Sequence, residues 1–144
     1  MKTYDQFHDG SLEGFWVDDP FVHIFLRTED KKRFAIVADE VAALGANDFR
    51  KGHIILAVET RTHEELSSED IRLLYDVSEG EAGEKQIQNI LQKARAQKLM
   101  VLQIDPSYGA SFSILARSLE LLDRKEWSEK YGSRLAANRF DLIR

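Results

Sequence analysis

At 144 residues, 43% apolar and 31% charged with a formal net charge of -5, the chain has the composition of one ordinary globular domain, not of a disordered or fibrous one. It has no cysteine, which excludes disulfides, thiolate nucleophiles and cysteine-based zinc sites and suits a cytoplasmic protein. No run approaches the roughly 18 uninterrupted apolar residues of a membrane span, and the opening MKTYDQFHDG lacks the apolar block of a signal peptide, so no membrane is expected as a partner.

Residues 1–11 are polar apart from Tyr4 and Phe7 and read as a loosely held lead-in. Leu12 to Val17, the turn signal Asp18-Asp19-Pro20 and Phe21 to Arg27 predict a hairpin. In its second strand Phe21, His23 and Phe25 share one face and Val22, Ile24 and Leu26 the other. Both sides are then apolar, which makes His23 a hydrogen-bonded core histidine and not a metal ligand. Lys32 to Ala38 predicts a third strand with Phe34 and Ile36 inward, completing a meander. Asp39 reads as the cap of a short helix through Leu44 that Gly45 ends.

Gly52 to Arg61 holds the longest apolar run, Ile54 to Val58, rich in β-branched residues, and predicts a central strand covered on both faces. In Leu66-Ser67-Ser68-Glu69-Asp70-Ile71, Ser67 can cap, Asp70 can answer it and Leu66 can staple to Ile71, which starts a helix near 68–76. Ile87, Ile90, Leu91 and Ala94 recur at i, i+3, i+4 and i+7 and place a second helix over 84–97. Leu99 to Asp105 reads as a second buried strand, stopped by Pro106. Residues 110–122 carry both periods, and the preferred reading is a short helix followed by a closing strand at 118–122. Asp123, answered by Glu126, caps a last helix over 124–138, docked by Trp127, Tyr131 and Leu135. The fold expected is α+β (mixed α/β): a single domain, 1–144, in which a largely antiparallel sheet of five to six strands is packed by about three helices.

Charge is unevenly spread. Between Glu59 and Glu84 stand nine acidic residues against Arg61 and Arg72, a local charge of -7, followed by Lys85, Lys93, Arg95 and Lys98. Such a segment repels phosphate backbones, so nucleic acid is not expected as a partner, and a basic protein is the natural complement. The candidate binding surface is Glu64, Glu65, Glu69, Asp70 and Asp76.

Motifs that carry chemistry are missing or incomplete. No glycine-rich phosphate loop is present, and His63-Glu64-Glu65-Leu66-Ser67 has serine where a zinc-protease helix needs its second histidine. Gly109-Ala110-Ser111-Phe112-Ser113 lacks the second glycine of a nucleophile elbow. Asp48 followed by Glu59-Thr60-Arg61 resembles the acid and Glu-x-Lys pattern of metal-dependent nucleases of the restriction-enzyme type. Arginine stays protonated, however, and cannot take that lysine's proton-handling role. A small-molecule site, if the chain has one, is expected where Asp105, Ser107 and Tyr108 gather beyond a strand end, with Glu59 nearby. These readings predict a non-enzymatic acidic protein-binding module with no cofactor and no metal. Its most specific form is a cytosolic inhibitor of a basic partner, such as an immunity protein against a nuclease toxin. The alternative is a small enzyme or ligand-binding domain using the Asp105-Gly109 loop.

Overall fold

In the computed structural model the described residues are 1–47, 53–108 and 111–143, with side chains described outside 53, 107–108 and 137–143. Seven antiparallel strands and three helices give a mixed α+β architecture: β1 (Lys2–Thr3), β2 (Ser11–Asp18), β3 (Phe21–Arg27), β4 (Arg33–Asn47), β5 (His53–Arg61), α1 (Ser68–Leu74), α2 (Glu81–Ala96), β6 (Met100–Tyr108), β7 (Ser111–Asp123) and α3 (Arg124–Ile143). The strand order is β1-β5-β2-β3-β4-β7-β6, and β5 also pairs with β6. Six strands therefore close on themselves, and β1 lies alongside the end of β5.

Closure needs strands that bend, and the ladder slips at Leu12/Gly14 in β2, at Val41/Ala43 in β4 and twice between β5 and β6, once on each strand, over Ile54 to Ala57. Each slip adds a residue on one strand and sharpens its local twist. The interior is filled by Val22, Ile24, Leu26, Ile36, Ala38, Ile55, Val58, Leu102, Ile104, Phe112, Ile114 and Ala116. These side chains form one packed core.

Two further apolar clusters lie outside the barrel wall. Under α1 and α2, Leu66, Ile71, Ile87, Leu91 and Ala94 pack on Val101 and Leu115. Under α3, Trp127 and Tyr131 pack on Ala35, Val37 and Leu122, with Trp16, Phe21 and Phe25 at the margin. The hairpin and meander come out as expected, with Phe34 and Ile36 inward. So do the three helices, including the stripes Ile71, Leu74, Tyr75 and Ile87, Ile90, Leu91, Ala94.

Several local expectations are corrected. Seven strands replace five to six. The lead-in is integral to the barrel: β1 pairs with Thr60 and Glu59, the Tyr4 amide donates to the Val58 carbonyl (2.9 Å), and Phe7, on a 3-10 turn, is 0% exposed with its ring edge-on to Phe34. Residues 39–44 are strand, with Ala43 to Asn47 laddered to Leu115 to Ser111, and that pairing overrides the local helix signal. Gly45 ends nothing; a Cβ there would lie 3.3 Å from the Leu73 carbonyl, so glycine lets α1 approach β4. Residues 111–123 are one strand whose early part is buried on both faces, Phe112, Ile114 and Ala116 within the barrel and Leu115 beneath the helices, so the period of two is hidden. Pro106 does not stop β6; it faces Ile55 between two register slips, where a missing amide proton is tolerated. β5 is not covered on both faces, because Ile54 and Leu56 are 43% and 49% exposed on a barrel wall that the helices screen only in part.

Gly10 shows how tightly the lead-in is seated. A Cβ there would fall 2.2 Å from the Arg27 carbonyl oxygen and 3.0 Å from that of Phe7, both backbone atoms. Gly10→Ala is expected to destabilise the fold by about 1–3 kcal/mol, as overpacking does, read from the urea midpoint at unchanged slope.

Candidate functional site

α1 begins where Ser67 leaves the helix axis in extended geometry, and its first turn is closed by a reciprocal capping box with Asp70. One Asp70 carboxylate oxygen accepts the Ser67 amide (3.0 Å) and hydroxyl (3.3 Å), and the other accepts the Arg61 guanidinium. Arg61 also donates to the Gln103 side-chain oxygen (2.6 Å) and lies 3.4 Å from Glu59, while the Gln103 amide donates to Asp105 (2.8 Å). Register explains the assembly: Glu59 faces Gln103 and Ala57 faces Asp105 across β5 and β6, so all these side chains stand on one outer face of the barrel.

The network joins Glu59 to Arg61 directly and Asp105 to it through Gln103, and it fixes the start of α1. Asp70 is thereby removed from the acidic surface assigned to it: it is 4% exposed, and its lone pairs are used by the cap and by Arg61. The backbone of Ser107 and Tyr108 belongs to β6, whereas their side chains, and Asp48 of the nuclease-like pattern, lie outside the described residues. Among the described residues no group of three or more histidine and carboxylate side chains is placed to hold a metal ion.

The rest of the acidic surface faces outward. Glu64, Glu65, Glu69 and Asp76 are exposed. The N-terminal ammonium pairs with Glu65 and, with hydrogen bonds from Thr62, holds its carboxyl below the usual range. Arg72 bridges the two helices, donating to both Glu84 oxygens (2.6 and 2.7 Å) and lying 3.4 Å from Glu69. Asp76, Glu79 and Glu81 have no ion-pair partner among the described residues. Of the following basic stretch, Arg95 is spent inward on the Leu66 carbonyl (2.7 Å).

One residue of this face escaped the sequence reading. Leu73 is 59% exposed, and at i+4 from Glu69 it shares that residue's side of α1, while Asp76, also exposed, follows the extended Tyr75 that ends the helix. The signal was present, since Leu73 falls off the buried stripe of Ile71, Leu74 and Tyr75. It borders a shallow groove of about 240 Å³ whose other walls are Gly45, Ala46, Asn47, Ser111 and Ser113. The site is thus an exposed leucine one turn after Glu69, near the end of a helix whose position is fixed from below.

A second polar cluster lies under α3. His23 is 0% exposed, stacked on Trp16 (centroids 4.6 Å, planes 18° apart) and met edge-on by Trp127 and Tyr131. The Trp127 indole N–H donates to His23 Nδ1 at 3.0 Å. His23 Nε2 lies 3.6 Å from Asp18, whose carboxylate accepts the Arg134 Nε–H at 2.7 Å. The core placement read from the strand pattern is met, and the indole partner, 104 residues away, is what that pattern could not name.

No family model, curated protein or solved structure matches the chain. What the geometry defines is a class: a filled antiparallel barrel with helices packed on its outer wall.

Proposed function

We propose that this chain is a cytoplasmic, non-enzymatic acidic protein-binding module that docks a basic protein through the outer face of α1. The most specific form of the reading is an inhibitor of the immunity type, directed at a basic toxin such as a nuclease. The observation that carries it is Leu73 standing exposed one turn after Glu69, with the exposed Asp76 just past the helix end. A desolvated apolar anchor within a charged rim is how a few residues come to carry most of an interface's energy. Two facts support it: apolar side chains fill the barrel interior, and the Arg61 network places α1 without drawing on that face. The surplus of negative charge would speed encounter with a basic partner and repel nucleic acid.

The test is capture by the immobilised chain from a lysate of cells that naturally carry it, at about 50 mM and about 500 mM salt. Wild type would be compared with Leu73→Asp and with the double variant Glu69→Lys/Asp76→Lys. The reading expects a basic protein retained at low salt, released at high salt, and lost by both variants, with affinity for the purified protein reduced at least about 30-fold by Leu73→Asp. Capture that survives both variants, or is indifferent to salt, overturns it.

A further inference from the structure

His23 is buried, titratable and unused by the α1 surface, and its two ring nitrogens are held to different tasks. An indole N–H can only donate. Nδ1, at 3.0 Å from Trp127 Nε1, must therefore present its lone pair, and the ring proton sits on Nε2. That proton has no hydrogen-bond acceptor within reach, since the Asp18 oxygen stands 3.6 Å off and is engaged by Arg134. The imidazole is thus locked in one neutral tautomer by a residue of α3. A second proton would put two N–H donors face to face at Nδ1, in a site with no water-exposed surface into which either could turn.

From this geometry we propose that the docking of α3 is proton-gated: protonation of His23 breaks its bond to Trp127 and releases the helix from the barrel wall. The fold permits a local release. The cluster under α3 is separate from the barrel interior, so undocking exposes Trp16, Phe21 and Phe25 while the twelve inward-facing barrel side chains stay packed. The charged groups that face the imidazole are Asp18 from β2 and Arg134 from α3. Tyr131 offers its ring edge and sends its hydroxyl to Glu120 of β7 (3.5 Å), and from β3 and β4 come only the apolar Phe21, Phe25, Ala35 and Val37. Asp18 favours the imidazolium and Arg134 opposes it only weakly, so it is desolvation, the largest influence, that holds the ring neutral, with the indole donor fixing which nitrogen stays bare.

The sign follows from burial. Desolvation holds the pKa of His23 below its ordinary 6.5, against the pull of Asp18. Between that lowered value and 6.5 the undocked state takes up a proton that the docked state refuses. Docking is therefore complete above 6.5 and weakens as pH falls through that window.

Both tryptophans of the chain, Trp16 and Trp127, touch this histidine, so indole fluorescence reports on the latch while far-UV circular dichroism reports on the sheet. Titrating the intact chain from about pH 7.5 to about pH 5 should shift the emission with one proton taken up and leave the sheet signal in place. His23→Gln, which can still accept from the indole but does not titrate, should lose the transition. Trp127→Phe, read through Trp16, removes the donor that forbids the second proton and should move the midpoint up by about one pH unit. The proposal is overturned if fluorescence and sheet signals change together, if His23→Gln keeps the wild-type transition, or if the Trp127→Phe midpoint does not rise. Should His23→Gln fail to fold, the wild-type and Trp127→Phe titrations decide alone.

Discussion

Replacing Arg61 by methionine is expected to cost about 3–5 kcal/mol of stability, the range for removing one partner of a buried ion pair. Methionine keeps much of the packing volume but leaves the Asp70 carboxylate, 4% exposed, with only its two bonds to Ser67. The Gln103 side-chain oxygen loses its donor as well, and Glu59 its counter-charge. Asp70→Asn should be far milder, because an amide oxygen can still accept the Ser67 amide and no buried charge remains. Urea unfolding of the two single variants and the double measures this directly. In the double variant the penalty of Arg61→Met should largely vanish, since the charge it strands is gone. An Arg61→Met loss below about 1 kcal/mol would mean that the network behaves as a surface ion pair and does not set the position of α1.

Phe7→Ala is the second large effect, expected at about 3–5 kcal/mol, as for other fully buried phenylalanines. The ring is 0% exposed, packs edge-on to Phe34 at 5.4 Å and belongs to the same apolar cluster as the barrel interior. Around it the Asp9 amide donates to the Ile55 carbonyl (3.0 Å) and the Ile55 amide to that of Gly10 (2.9 Å), so the lead-in runs along the edge of β5. The variant should therefore also speed amide exchange along β5. A loss of less than about 1 kcal/mol would return residues 1–11 to the status of a peripheral tail.

The sequence was most legible where one face of an element meets water. α1 and α2 each show a clean period because their buried stripes are bounded by exposed residues, and the capping boxes Ser67/Asp70 and Asp123/Glu126 mark the starts of α1 and α3 within a few residues. It was least legible where both faces are covered or a strand is bent. β7 is apolar on both sides in its first half and so mimics a helix. β4 breaks its own alternation at the Val41/Ala43 slip, and Glu40 adopts the left-handed region with φ 49°. Barrel closure itself depends on β5 meeting β2 on one side and β6 on the other, and a pairing between distant segments leaves no mark on local periodicity.

The same contrast holds at the candidate site. The acidity of 59–84 was plain, but which carboxylates face outward was not. Asp70 carries two local signals, a cap and a surface charge, and only the arriving Arg61 decides between them. Leu73 could have been found by asking which apolar residue of α1 has no place on its buried stripe.

The account's central claim is that recognition uses the outer face of α1, with the barrel as its scaffold. Amide exchange footprinting of the captured basic protein on this chain tests it most directly. Protection concentrated in α1 and the neighbouring β4 end at 43–47, and weakened by Leu73→Asp, is the predicted result. Protection confined to β6 near Asp105, with α1 exchanging as in the free chain, would contradict it.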